Sequence, residues 1–237
     1  MDLKEVEQIQ NVESHWYYLS KARAVLAACA KHNITGILDI GAGSGFFSKF
    51  ILRSTAAKFS CCVDIAYPQE FEELDFGKVI SYKRSIESTQ ANLILFMDVL
   101  EHVEDDLGLL REYIEKTPDN SIFVITVPAF MSLWSDHDEF LGHKRRYKLA
   151  QIEQVIKNSG LNMISGNYYF ASIFPLVYLI RSIRRYLKIN EKQSHLKDSY
   201  RFVNSLLLFI CKVELSLTSI NRWFGISVVC VASKQNS

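Results

Sequence analysis

The sequence predicts an α/β chain: a doubly wound, mostly parallel, seven-stranded sheet with an N-terminal helical segment and a C-terminal helical cap. Three observations carry this. Short apolar runs alternate with helix-patterned stretches from residue 36 to 127. Runs such as GILDI (36–40) and ANLILFM (91–97) read as buried strands. The first of them breaks at a glycine cluster that opens a helix, the layout of a strand–turn–helix that receives a ligand.

The elements follow in order. Residues 1–15 are polar and weakly patterned. Leu19, Ala22, Leu26 and Cys29, with Val25 beside them, mark one face of a helix over about 18–32, stopped by the Asn33–Gly36 stretch. Strands are expected at 36–40, 58–65, 79–86, 91–97 and 121–127. A helix after the glycine turn carries Phe46, Phe47, Phe50 and Ile51. Another spans about 103–116, with Asp105 and Asp106 in its first turn and Lys116 in its last, as the helix dipole favours. Residues 128–147 are rich in aromatics, His and Arg. A helix at 148–159, a strand near 161–170 and a final strand at 225–234 complete the sheet. Two apolar helices, at about 172–187 and 200–221, flank a polar stretch at 190–199 that reads as a loop. The expected organisation is a helical segment at 1–35, a ligand-binding core at 36–170 that includes the loop 128–147, and a cap with the last strand at 171–237.

Composition narrows the class. The 237 residues are 49% hydrophobic and 22% charged, enough for one large core. The formal net charge is only +1, so no dominant basic field marks a nucleic-acid partner. Five cysteines form no CxxC and read as buried reduced thiols, Cys61 and Cys62 pointing to opposite faces of one strand. The acidic, polar start shows no signal peptide, and the longest apolar stretch, 168–180, is short of the ~20 residues a spanning helix needs. A cytoplasmic location is expected.

Three segments carry chemistry. In ILDIGAGSGFFSKFIL (37–52) the glycine spacing is GxGxG; a dinucleotide fingerprint would want a third glycine where Phe46 stands. The Asp39 carboxylate would repel a pyrophosphate and welcome an ammonium. S-adenosylmethionine (SAM) has an ammonium and a sulfonium and no phosphate. Asp64, 25 residues downstream, ends the second strand, where a carboxylate accepts hydrogen bonds from both ribose hydroxyls of either cofactor class. In ANLILFMDVLEHVEDD (91–106) the polar set Asp98, Glu101 and His102 follows a buried strand.

Together these segments resemble the class I SAM-dependent methyltransferases, specifically bacterial small-molecule methyltransferases with a DVLEHV segment after strand four. The stretches HWYYLSKAR (15–23), 127–147 and GISVVCVASK (225–234) extend the resemblance loosely over the chain. It implies a Rossmann-like methyltransferase fold with SAM as cofactor. It places Asp39, Gly41 and Gly43 on the methionine part of SAM, and Asp64 on the ribose. Ile65, Ser85 and Ile86 fall to the adenine, Met97 and Asp98 to the methionyl region, and Arg23 to the SAM carboxylate. No [DN]PP[YF] and no Pro-Cys pair marks a DNA-base methyltransferase.

Methyl transfer needs alignment and a dry pocket, and an oxygen or nitrogen nucleophile also needs a base. The segment 128–147 follows the fifth strand and offers Trp134, His137, His143, Arg146 and Tyr147 to an acceptor, with Tyr18 implied from the first helix. His143 or His137 is expected as the base, with His102 third. The plainer alternative is that these histidines bond the loop to itself. Arg145 or Arg146 would anchor a carboxylate or phosphate. The pairs His137–Asp138 and Glu101–His102 suggest a metal, but three or four ligands clustered at short spacing are missing, so none is expected. The apolar stripes of the two late helices read as a roof over the acceptor site. The alternatives are a membrane-surface element or a dimer contact. The expected function is methylation of a small acceptor at oxygen or nitrogen, a natural product or an envelope glycan or lipid precursor, by a monomer or homodimer. The alternatives are a non-catalytic SAM- or nucleotide-binding module and a membrane-lipid-linked acceptor.

Overall fold

The computed structural model describes residues 12–187, 201–217 and 220–235; the loop expected at 190–199 lies outside them. One sheet contains β1 (Ile37–Ile40), β2 (Phe59–Val63), β3 (Phe71–Asp75), β4 (Lys78–Lys83), β5 (Leu93–Met97), β6 (Ile122–Pro128), β7 (Asn162–Tyr169) and β8 (Ser227–Ser233). Their order is β3-β4-β2-β1-β5-β6-β8-β7. The five strands from β4 to β6 run parallel, while β3, β8 and β7 each pair antiparallel with a neighbour.

The sheet therefore has eight strands, not seven. The added strand, β3, reads FEELD, and three of its five residues are acidic. It pairs only with β4, at the sheet edge, where Glu72 is exposed while Glu73 pairs with Lys49 and Asp75 with Arg53. It has no apolar run to announce it.

The central strands are buried along their whole length, as β1 and β5 show. Alternation in β5 divides the interior in two: Leu93, Leu95 and Met97 join one core, Ile94 and Phe96 the other. Helices α1 (Trp16–Cys29) and α2 (Phe46–Ser54) supply the first core, while α3 (Asp106–Glu115) and α5 (Leu149–Asn158) supply the second. A short helix, α4 (Asp136–Leu141), lies between β6 and α5. All five cysteines are free and buried, with Cys62 in one core and Cys61 in the other. Burial pushes the Cys29 thiol up to about 12, which leaves it protonated and inert.

The C-terminal helical cap is present and packs with few buried side chains. Helix α6 (Phe174–Tyr186) has no buried residue, and α7 (Arg201–Leu215) buries only Cys211. Asn204 ties α7 to the start of α1, accepting from the Trp16 N–H at 2.8 Å and donating to the Ser14 carbonyl at 2.9 Å. Helix α6 is tied to the loop after β6, where Arg185 donates to the Ser132 carbonyl at 2.8 Å and Arg181 to that of Leu133. Among the described residues no helix is long and apolar enough to cross a membrane.

Candidate active site

Strand β1 has β2 on one side and β5 on the other, so the chain order reverses there. A crevice opens at the carboxyl ends of such strands. The backbone leaves β1 through Gly41 and Gly43, at φ 61° and 54°. A Cβ on Gly41 would stand 2.8 Å from Val99 Cγ2, so only glycine combines this conformation with this approach. The Gly43 N–H donates to Asp64 Oδ2 at 3.0 Å, and the Ala66 N–H to Asp64 Oδ1 at 2.9 Å. Asp64 thus ties the glycine turn to the end of β2. Beside it Ile65 is 83% exposed, an open apolar side chain at the rim of the crevice. Ser85 is exposed and Ile86 half-buried just after β4. Met97 is fully buried, and its side chain belongs to the core.

Asp39 is fully buried. Its Oδ2 accepts from Ser48 Oγ at 3.0 Å, and its Oδ1 has no partner. Burial pushes its carboxyl up to about 6. An orphaned, buried carboxylate oxygen beside a glycine turn fits a ligand that brings a positive charge and N–H donors, as the amino group of SAM does. The sign of the pH dependence follows. The ligand favours ionised Asp39, so affinity for S-adenosylhomocysteine (SAH) is expected to be flat above pH 6. Below that it should fall by up to about tenfold per pH unit, read by calorimetric titration across pH 5–8.

Helix α1 sets Lys21, a residue the sequence reading did not name, against Asp98. Lys21 is fully buried and donates to the Asp98 carboxylate and, at 3.0 Å, to Tyr17 Oη. Burial alone would push the ammonium down; Asp98 and Tyr17 overcome it and hold Lys21 above its ordinary range. Asp98 sits in left-handed backbone at φ 56°, strained for a non-glycine residue. Its N–H donates to the Thr126 carbonyl at 3.0 Å, and its Oδ1 accepts from Thr126 Oγ1 at 3.0 Å. Arg23 lies two residues beyond Lys21, about 200° around the helix. It is half-buried and, like Lys21, is not part of the cavity wall described next. The signal for Lys21 was present in the sequence, as a lysine inside the stripe Tyr18–Lys21–Val25.

A cavity of about 370 Å³ adjoins Asp98, between α1, the turn at 100–102, residues 137–146 and α6. Tyr18, Asp98, His102, His137, His143 and Arg146 all line it. Two expected acceptor residues do not. Tyr147 is buried, and its Oη bonds Asp106 Oδ2 at 2.7 Å and the Leu100 carbonyl at 3.2 Å, which anchors the loop. Trp134 is half-buried outside the wall, with its carbonyl toward Arg185.

The local sequence builds the rest of the site. Ser135 and Asp138 form a capping box at the start of α4, and Gly142 in left-handed backbone ends it. This turns His143 back so that its Nδ1 lies 2.8 Å from Asp138 Oδ1. Arg146 grips the same carboxylate through Nε at 2.7 Å and Nη2 at 3.0 Å. Burial would raise the Asp138 carboxyl, but hydrogen bonding from His143 and the Arg146 charge hold it well below the usual range. Arg146 lines the cavity, and its Nη1 donates to the Ala129 carbonyl at 3.1 Å. In the sequence Glu101 stood only as a partner of His102 in a pair that suggests a metal but lacks further ligands at short spacing. It is fully buried in the cavity wall, with no partner for either oxygen. Burial and the Asp98 charge push its carboxyl well above the usual range. Glu101, His102 and His143 each bring one potential ligand atom within 4.8 Å of the others. The cluster that sequence spacing lacks is thus assembled by the fold.

A family model described as a methyltransferase domain matches residues 15–166. The chain belongs to this methyltransferase family. SAM, the cofactor of this family, fits Asp39 and the glycine turn. Solved structures share the fold at low identity. A chain from the complex of the Haloferax volcanii Trm112 methyltransferase activator with a candidate methyltransferase is 13% identical, with TM-score 0.57 over 95% of this chain and 91% of that one. A candidate sarcosine dimethylglycine methyltransferase of Galdieria sulphuraria is also 13% identical, with TM-score 0.56 over 92% and 86%. Phosphoethanolamine N-methyltransferase 2 of Haemonchus contortus, solved with SAM, is 15% identical, with TM-score 0.54 over 91% of this methyltransferase and 52% of its own chain. No curated protein matches.

Proposed function

We propose that this methyltransferase methylates an oxygen or nitrogen of a small anionic acceptor held in the cavity beside Asp98. The observation that carries the reading is His143, seated in the cavity wall with Nδ1 fixed by the buried Asp138. When bound, SAM supplies a methyl group already activated by its sulfonium. The chain's own residues do the remaining work. Trp16, Tyr17, Tyr18 and Phe47 wall the cavity and exclude water. His143 takes the acceptor's proton at Nε2, and Asp138 stabilises the resulting imidazolium. His137 and His102 stand in the same wall and shape the pocket.

The acceptor's charge is read from Arg181. Burial and repulsion from Arg146 push its guanidinium down to about 10. Among the described residues it has one ion-pair partner, Asp138 at 4.0 Å, which is already held by Arg146 and His143. A carboxylate or phosphate on the acceptor would offset the surplus positive charge. The five buried free thiols support the cytoplasm as the place of work.

A second reading, a lipid-linked acceptor, has its own observation. Helix α6 lines the cavity with Val177 and Arg181, while its Leu176 and Leu179 are 58% and 56% exposed. Such a face would lie in a membrane surface and bring the cavity to a lipid headgroup. A labelled-methyl transfer assay tests both readings, with phosphate- and carboxylate-bearing acceptors offered free or anchored in anionic vesicles. Transfer to free acceptors is expected. Transfer confined to vesicles favours the second reading, and none at all with SAH binding intact favours a non-catalytic binding module.

A further inference from the structure

We propose that Glu101, His102 and His143 together hold a divalent cation of the first-row class that accepts mixed oxygen and imidazole ligands, such as Mn²⁺ or Zn²⁺. The proposal rests on the reading of this cavity as the acceptor site and adds a metal centre to it.

Geometry comes first. The potential ligand atoms of the three residues lie within 4.8 Å of one another, and all three residues line the cavity. Bonds of roughly 2.0–2.2 Å to a cation need only modest side-chain rotation to close that spacing. The cavity leaves the remaining coordination positions open to an acceptor oxygen.

Charge is the second, independent observation. Glu101 is fully buried, and neither of its oxygens has a partner. An ionised carboxylate in that position is strongly unfavourable unless a positive charge joins it. The nearby fixed cations are already engaged, Lys21 by Asp98 and Arg146 by Asp138. A protonated Glu101 would still leave both oxygens without partners. A dication satisfies them.

The third observation is the support behind His143. Asp138 takes its Nδ1, and Arg146 clamps Asp138 from the other side. A carboxylate on the far nitrogen fixes the tautomer of a metal-bound histidine and leaves Nε2 for the ion. Two neutral imidazoles and one carboxylate favour Mn²⁺ or Zn²⁺ over Mg²⁺ or Ca²⁺, which prefer all-oxygen shells. In this state His143 is a ligand and no longer the base; the cation makes the acceptor hydroxyl more acidic, and its proton goes to His137 in the same wall.

The test uses the full chain, stripped with chelator and exchanged into metal-free buffer. It is titrated calorimetrically with MnCl₂, ZnCl₂ and MgCl₂, and separately with SAH. One Mn²⁺ or Zn²⁺ per chain is expected, bound more tightly than Mg²⁺. Glu101→Gln and His143→Ala should each weaken it at least tenfold, and Asp138→Asn by about 10–100-fold. Retained SAH binding by the near-isosteric Glu101→Gln shows that this variant is folded. No saturable binding by the wild type overturns the proposal, and so does binding unchanged in both ligand variants. Methyl transfer at full rate in excess chelator also overturns it, yet leaves the methyltransferase reading standing. Loss of SAH binding by the wild type would instead overturn the parent reading.

Discussion

Replacing His143 with alanine is expected to lower turnover by about 10²–10⁴-fold and to leave SAH affinity unchanged. The imidazole stands in the wall of the proposed acceptor cavity, whereas Asp39, Gly41 and Asp64, proposed to hold the cofactor, lie at the ends of β1 and β2. The two readouts should therefore separate. Asp138→Asn should reproduce much of the loss, because a neutral amide cannot stabilise an imidazolium or a metal-bound imidazole equally well. Full activity in His143→Ala would remove the residue from the mechanism. A matching loss of SAH affinity would show instead that it supports the fold of the whole site.

Lys21→Met is expected to cost about 3 kcal/mol of stability, at the lower end of the range for breaking a buried ion pair. The ammonium is fully buried and its partner Asp98 is 27% exposed, so solvent relieves only part of the abandoned charge. The midpoint of urea unfolding should fall with no change in slope. Asp98→Asn in the Lys21→Met background should recover part of the loss, since the stranded charge goes with it. SAH affinity should fall as well, because Lys21 and Thr126 together hold the strained turn at Asp98. An unchanged midpoint would mean that the pair is fully solvated.

The parts of the site that lie close in sequence were legible there. The glycine turn, Asp39 and Asp64 depend on local strand–turn–helix geometry, and the continuous apolar runs of β1 and β5 announce the buried centre of the sheet. Contacts across the fold were not legible. Glu101 and His102 lie about 40 residues from His143, and only the topology brings them together. An aromatic loop residue reads the same whether it lines a cavity or anchors the loop, as Tyr147 does on Asp106. The stripes of α6 and α7 show which face avoids water without showing what covers it. The acidic edge strand β3 carries no apolar pattern at all. Arg23 came from the resemblance, and Lys21 was not weighed.

The central claim is that the crevice at Asp39 and Gly41 takes an adenosyl-amino-acid cofactor in a methyltransferase. Calorimetric titration with SAH, run beside NAD on the same protein at pH 7.5, tests it most directly. The expected result is one SAH per chain and no heat from NAD. Saturable NAD binding without SAH binding would contradict the account.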